Sequence, residues 1–315
     1  MTYVLYNPHA GSGGVEEAVR GLTERFGEAS FFDITEISKK GNGYAELLAG
    51  VCQNDSIIIC GGDGTLNRFA NDIAPYDICC PIYYYAVGSG NDFARDLGKN
   101  KGEVTDFSIN QYVTDLPTVS MDNVEGERYF VNGIGYGIDG YCCDMGDAIR
   151  AENEKNGTDK KIDYTAIAIK GLLFKYKPTS AVVTVDGKEY SFKKVWIAPA
   201  MNGRFYGGGF MPTPNQKRIA ENGEERKLSL MVFHDSGKLK TLMTFPAIFK
   251  GEHIKDKKHV TVLEGKEIKV EFDSPRALQI DGETVRNVKY YVAKAPVGKN
   301  PKGSEKTEAE AFEIV

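Results

Sequence analysis

The sequence predicts an α/β N-terminal domain built on a parallel sheet, followed by a β-rich, sandwich-like C-terminal domain. Three observations carry this. Through about residue 115, short apolar strands alternate with amphipathic helical stretches, and that alternation implies a parallel sheet covered by helices. From residue 181 onward strands and turn signals dominate, which suits a sandwich or partly open barrel. The 315 residues suffice for two domains of ordinary size.

Taken in order, residues 3–6 read as a strand, and Val15, Ala18, Val19, Leu22 and Phe26 mark an amphipathic helix. A strand at 31–34 and a helix near 44–52 follow. Ile57-Ile58-Ile59-Cys60 is a continuous apolar run, the mark of a strand buried on both faces. Leu66, Phe69, Ala70 and Ile73 then recur at helical spacing, before a strand at 82–87 and a short helix at 92–97. Residues 119–124 and 128–132 read as a hairpin turning at Glu125-Gly126-Glu127, with helices near 140–153 and 161–176. Strands at 181–185, 189–199, 227–233, 259–263, 267–272, 276–280 and 287–293 come next, with hairpin signals at Asp186-Gly187, Glu264-Gly265 and Asp281-Gly282. The expected division is 1–117, 118–295, and a polar tail over 296–315.

Composition narrows the function. With 41% apolar and 26% charged residues the chain is of soluble globular type. A net charge of −5 argues against a nucleic-acid partner, which needs a basic face. No apolar run is long enough to span a bilayer, and the opening residues lead into a strand rather than a signal peptide, so a cytoplasmic location is expected. The cysteines at 52, 60, 79, 80, 142 and 143 and the histidines at 9, 234, 253 and 259 have neither zinc spacing nor the look of a disulfide framework.

Ligands of parallel sheets bind at the carboxyl ends of the strands, and there the chain carries three polar glycine loops: NPHAGSGG at 7–14, GGDGT at 61–65 and GSGND at 88–92. Strand, glycine turn and helix together offer backbone N–H groups to a phosphate. Any one of them also reads as an ordinary strand-to-helix turn, but three at successive strand ends form a constellation. The GYGIDG stretch at 135–140 matches G-x-G-x-x-G. The acidic strand end required about 20 residues later is replaced by the polar GTDKKIDY, so a dinucleotide site is not expected.

GGDGTLN, GSGNDFARDLG, NGIGYGIDG, MNGRFYGGGF and LQIDGE occur in this order along residues 3–293. In this the chain resembles the bacterial diacylglycerol kinase and lipid kinase family. The first motif is shared with phosphofructokinases and NAD kinases; the second points to lipid kinases. The resemblance implies a nucleotide-binding N-terminal domain, a cleft between the domains, and transfer of the γ-phosphoryl of ATP to a lipid hydroxyl with Mg²⁺, most directly diacylglycerol to phosphatidic acid. By motif, Gly61, Gly62 and Gly64 line the triphosphate with Thr65 beside them, and Asn7, Gly11, Gly13, Gly88, Ser89 and Asn91 complete the nucleotide site. Asp63 is the Mg²⁺-associated carboxylate, joined by Asp92 and Asp122. Asp281 is the general base, supported by Glu283.

Read from the residues alone, Asp92 is equally a helix cap, Asp122 a solvated strand residue, and Asp281 a hairpin turn residue. Two departures from the family pattern stand out. Ser89 replaces a common threonine. Lys217, Arg218, Arg226, Lys227 and Ser229 lie where relatives carry an acidic segment for a second, structural Mg²⁺, so no metal is expected there. The implied partner is a lipid alcohol at the inner face of the membrane, reached by peripheral association, with a homodimer left open. Apolar residues with flanking lysines at 170–177 and 237–259 read either as docking segments or as helices packed on the β-domain. Rival readings are a kinase of a soluble substrate such as NAD and a nucleotide-binding module without turnover.

Overall fold

A computed structural model describes residues 1–10, 21–22, 29–158, 160–220 and 224–297. Most of the helix expected at 15–26 (all but Gly21 and Leu22, which are helical), Gly11, Gly13 and most of the tail lie outside the described residues. In the N-terminal part, β1 (Thr2–Tyr6) and β2 (Ala29–Asp33) are followed by α1 (Ile34–Lys39) and α2 (Gly43–Ala49). Asp33 caps α1 through its carboxylate, which is why Ile34, expected in the strand, begins a helix instead. Next come β3 (Ser56–Gly61), α3 (Asp63–Ile73), β4 (Ile82–Ala86), α4 (Asp92–Asp96) and α5 (Asn110–Val113). The four strands form a parallel sheet in the order β2-β1-β3-β4. β3 lies between two partners, which accounts for its unbroken apolar run: Ile57, Ile59 and Cys60 are fully buried and Ile58 nearly so.

The second part begins with β5 (Thr118–Met121), β6 (Val124–Tyr129), β7 (Gly133–Tyr136) and α6 (Ile138–Asn156). Then α7 (Tyr164–Lys170), extended by a π turn over Gly171–Lys175, leads to β8 (Thr179–Val185), β9 (Lys188–Val195), β10 (Ala200–Met201) and β11 (Leu228–Phe233). The last elements are α8 (Lys238–Phe249), a 3₁₀ turn (Glu252–Lys255), β12 (Val260–Gly265), β13 (Glu267–Ile280) and β14 (Glu283–Lys294). These ten strands make one antiparallel system. β13 is its hinge: its first half pairs with β8 and its last residues with β7, while β14 follows along its other side. The system thereby closes around a core that includes Phe130, Tyr136, Phe272 and Tyr291.

Three sequence expectations change. The first hairpin turns at Asp122-Asn123, with Met121 opposite Val124; Gly126, at φ 83°, sits inside β6, so its conformational freedom serves an irregular strand rather than a turn. Glu264-Gly265 joins no hairpin, because β12 pairs with β11 and β13 with other strands. Residues 267–272 and 276–280 belong to one strand with register shifts between them. The turns at Asp186-Gly187 and Asp281-Gly282 do join β8 to β9 and β13 to β14, with both residues of each turn at positive φ.

Candidate active site

The site grows from the ends of β3 and β4. Gly62 and Gly88 bring the two following loops into backbone contact: a Cβ on Gly88 would lie 2.4 Å from the Gly62 Cα. Only glycine at both positions lets the chains approach this closely. Gly61 packs beneath Thr65, where a Cβ would meet the threonine side chain at 2.5 Å. Asn7, at the end of β1, donates its amide to Thr65 Oγ1 at 3.2 Å, so the tips of β1 and β3 are tied together. Gly62 gives α3 no side-chain cap. The N–H groups of the first turn therefore face outward beside Gly64, around which a Cβ would meet nothing within 4 Å. An uncapped helix end beside open space is a seat for an anion.

Asp63 starts α3 and caps α4: its two carboxylate oxygens accept the N–H groups of Asp92 and Phe93, each at 2.9 Å. Asn91 takes a left-handed conformation (φ 53°) just before α4 and donates its amide to the Gly88 carbonyl at 2.8 Å. Asp92 is 3% exposed. One of its oxygens accepts the Gly208 N–H at 2.7 Å; the other, like Oδ1 of Asn91, is buried without a hydrogen-bond partner, with the Arg95 guanidinium 3.8 Å from it. Burial, reinforced by the Asp63 charge, raises the Asp92 pKa to about 6. Asp63, Asp92 and the Gly208 backbone all converge on Gly90, within 3.6 Å of where its Cβ would be.

Asp281, the turn residue between β13 and β14, is caged. Oδ1 accepts the N–H groups of Asn132 and Gly133 at 2.8 and 2.9 Å, and Oδ2 accepts the N–H of Val131 at 2.5 Å and the Asn67 amide at 2.7 Å. Desolvation outweighs these donors and lifts its pKa to about 6, with the Asp63 charge adding to the rise. Asn67 lies one helical turn beyond Asp63 on α3, on the same face. In the opposite direction, Asn132 donates its amide to Asp63 at 3.2 Å. The two parts of the chain are thus cross-tied by two asparagines, each reaching the other part's carboxylate.

Behind Asn132 lies Arg218, whose side chain is 5% exposed. It donates to Asp96 at 2.5 Å, to the Val131 carbonyl at 2.6 Å and to Asn132 Oδ1 at 2.5 Å, and its guanidinium lies over the Phe93 ring. Arg204 adds a second bond to Asp96. Arg226 pairs with Asp115, and Ser229 donates to Gln216. Where the family pattern places an acidic segment, this chain has the buried Arg218 and the half-buried Arg226, each already paired with one of its own carboxylates.

Of the residues expected at the site, Asn7, Gly61, Gly62, Asp63, Gly64, Thr65, Gly88, Asn91, Asp92 and Asp281 gather around these loops. Ser89 is exposed beside them. Glu283 opens β14, exposed, opposite Ile280, and borders a surface cavity with Asn67, Asn71 and Arg128. Asp122 is not brought to Asp63 or Asp92. It is exposed at the β5–β6 turn and accepts the N–H of Lys289, because Met121 pairs with Tyr291, near the opposite end of β14 from Glu283. Asn67, Asp96, Asn132, Gly208 and Arg218 were not anticipated. Asn67 was findable, four residues after Asp63 on a helix; the others are joined only by the tertiary fold.

The model of the diacylglycerol kinase catalytic domain matches residues 1–119, and that of the YegS C-terminal NAD kinase beta sandwich-like domain matches residues 134–297. The chain belongs to the diacylglycerol kinase and lipid kinase family. Among relatives in this family, a diacylglycerol kinase of Mycobacterium tuberculosis (strain ATCC 25618 / H37Rv) is 26% identical over 257 residues, 79% of this chain and 78% of the relative. That of Bacillus subtilis (strain 168) is 24% identical over 288 residues, 89% and 88% of the two chains. The crystal structure of a diacylglycerol kinase from Bacillus anthracis str. Sterne shares the fold at a TM-score of 0.61 with 22% identity, covering 94% of this chain and 93% of that one. Family membership makes the chain a kinase, and kinases of this family use ATP.

The residues present fit a hard divalent cation. Among the described residues no three acidic, His or Cys side chains cluster, but Mg²⁺ takes one or two carboxylates plus phosphate oxygens. Asp63 and Asp92 are that pair, and Asp92 Oδ1 has no hydrogen bond, only Arg95 at 3.8 Å. Two carboxylates this close repel unless a cation joins them. Among the described residues, no helix is long and apolar enough to cross a membrane.

Proposed function

We propose that the protein transfers the γ-phosphoryl group of ATP to the hydroxyl of a membrane lipid, with diacylglycerol as acceptor and phosphatidic acid as product. The observation that carries this is the paired cross-tie: Asn132 on Asp63 and Asn67 on Asp281. It sets a carboxylate of the glycine loops and a carboxylate of the β-rich part at one seam, as transfer between a nucleotide and a second substrate requires. Phosphoryl transfer depends on positioning and charge neutralisation more than on covalent help.

In this reading the first-turn N–H groups of α3 orient the phosphates, and Asp63 and Asp92 hold Mg²⁺. Bound there, Mg²⁺ supplies the positive charge that offsets the phosphate oxygens during transfer. Asp281 is the acceptor of the lipid hydroxyl proton. With a pKa near 6 it is ionised at neutral pH yet basic enough to take a proton as the oxygen attacks. Its four acceptor positions are already filled, so one donor must yield, and Asn67 is the single side chain among the four. The lipid oxygen forms its bond to phosphorus, the bond from phosphorus to the β–γ bridging oxygen breaks, and the proton passes to Asp281 Oδ2. Peripheral contact with the inner face of the membrane belongs to the same reading.

The test is transfer of label from ATP by the purified full chain to diacylglycerol, other lipid alcohols in micelles, and NAD. Label in diacylglycerol is expected. Label in NAD, or ATP binding with no labelled acceptor, overturns the proposal in favour of a soluble substrate or a module without turnover.

A further inference from the structure

α8 turns large apolar side chains to solvent. Its buried residues are Thr241, Thr244 and Ile248, and both threonine hydroxyls return a bond to their own helix or its N-terminal residue, at the Gly237 and Lys240 carbonyls. Leu239 and Met243, one turn apart, are 69% and 64% exposed. An ordinary amphipathic helix turns its apolar stripe to the core; here two threonines share the inward face with Ile248 and Phe245, while Leu239 and Met243 face out. The π turn after α7 adds a second apolar element to the same face. Phe174 is 76% exposed, and Lys238 of α8 donates to the carbonyl of its neighbour Leu173 at 2.6 Å, which fixes the two elements side by side. The segments 170–177 and 237–259, separate in sequence, form one surface.

We infer that this surface, with Phe174, Leu239 and Met243 at its centre, seats the protein on an anionic phospholipid leaflet. Charge selects that occupant. Lys170, Lys175, Lys177 and Lys250 are exposed around the patch and make no ion pair among the described residues, in a chain whose net charge is −5. Apolar side chains ringed by lysines suit the headgroup boundary, where the apolar part enters the acyl region and each cation meets a negative surface. Continuity with the site supports the same occupant. Phe249 and Phe245 of α8 pack on Phe210 with ring centroids 4.3 and 4.7 Å away, and Phe210 packs on Tyr206. Those two residues flank the glycines whose Gly208 N–H holds Asp92. A leaflet under α8 thus lies against the aromatic row that leads to the carboxylates. The inference rests on the lipid kinase reading for its purpose, though not for its test.

The experiment is sedimentation of the full chain with vesicles of phosphatidylcholine and phosphatidylglycerol in equal parts, without nucleotide, beside vesicles of phosphatidylcholine alone. One variant carries Phe174→Ser, Leu239→Ser and Met243→Ser; a second carries Lys170→Gln, Lys175→Gln and Lys250→Gln. Each should weaken binding to the anionic vesicles at least about tenfold, and the lysine variant should lose the salt sensitivity of the wild type. The lysine variant keeps the test decisive if the apolar one misfolds. Anionic vesicle binding equal to wild type in both variants overturns the surface, as does a wild type that ignores the anionic vesicles. Vesicle binding lost in both variants, with no lipid labelled by the wild type, upholds the surface while the kinase reading falls.

Discussion

Asn67 and Asp281 stand 214 residues apart in the chain and share a hydrogen bond of 2.7 Å. Because Oδ1 and Oδ2 of Asp281 already accept three backbone N–H groups, this amide completes a cage that only an ionised carboxylate satisfies. Asp281→Asn turns an NH₂ group toward donors. The expected result is a loss of about 1–3 kcal/mol in stability and at least about a hundredfold in turnover. Denaturant unfolding and steady-state kinetics measure the two. A variant as stable as wild type shows that the cage does not hold in solution.

Asn67→Ala separates the cage from the base. Removing a donor to the charged form raises the Asp281 pKa further, above its present value of about 6. The acid limb of the pH–rate profile should therefore move to higher pH, while turnover at high pH falls less. An unmoved acid limb dissociates Asn67 from the proton transfer.

The parallel sheet and its loops were legible in sequence because they rest on local signals: an apolar run, glycines, then a helical period. Asp63, Asp92 and the glycines each follow directly from a strand end. The Asp281 turn was equally legible, but its chemistry was not, since Val131, Asn132 and Asn67 come from two other elements. Asp122 failed for a related reason. A misplaced hairpin turn put it on a strand, and nothing local reveals which end of β14 faces the seam. Arg218 read as a lost metal ligand set; only its three buried acceptors show it as a cation held within the fold.

Asp92 makes stability depend on pH in a definite direction. Its folded pKa of about 6 lies above the unfolded value of 3.8, so its contribution is fully present below the unfolded value and is lost as pH rises through 6. Asp139, buried and also near 6, and Asp281 act in the same sense. His253, lowered by burial, opposes them. The difference between wild type and Asp92→Asn isolates one residue: the variant should melt higher than wild type at pH 7.5, and the gap should close toward pH 5. Mg²⁺ with ATP should reverse the order at pH 7.5, because the wild type alone keeps both carboxylates. A gap constant from pH 5 to 7.5 rules out Asp92 as the titrating group.

Arg218 addresses three acceptors with three different nitrogens. Lysine offers a point charge rather than a fork, so Arg218→Lys should be nearly as damaging as Arg218→Met. Either leaves Asp96, with a side chain 5% exposed, short of its buried partner, at a cost of about 3–5 kcal/mol for a broken buried pair. Chemical denaturation gives the number. Full stability in Arg218→Lys, or loss of wild-type stability on chelating divalent ions alone, shows that charge or metal, not the fork, holds this region.

Two glycines of the nucleotide loops should respond in opposite ways. A Cβ on Gly88 falls 2.4 Å from the Gly62 Cα, and backbone cannot swing aside as a flexible side chain does. Gly88→Ala must part the loops after β3 and β4, so both melting temperature and ATP affinity should drop. At Gly64 a Cβ meets no atom of the protein within 4 Å, and the residue lies in the first turn of α3 with no positive φ. Alanine is also the better helix former there, by about 1 kcal/mol, so Gly64→Ala should fold at least as well as wild type. Its methyl group, however, projects beside the free N–H groups of the helix start, where a phosphate approaching backbone needs clearance. The expected outcome is unchanged or raised melting with ATP affinity weakened at least about tenfold, a cost of about 1.4 kcal/mol. Calorimetric titration with ATP and Mg²⁺ on both variants reads it directly. Wild-type ATP affinity in Gly64→Ala means the triphosphate lies elsewhere than at the start of α3.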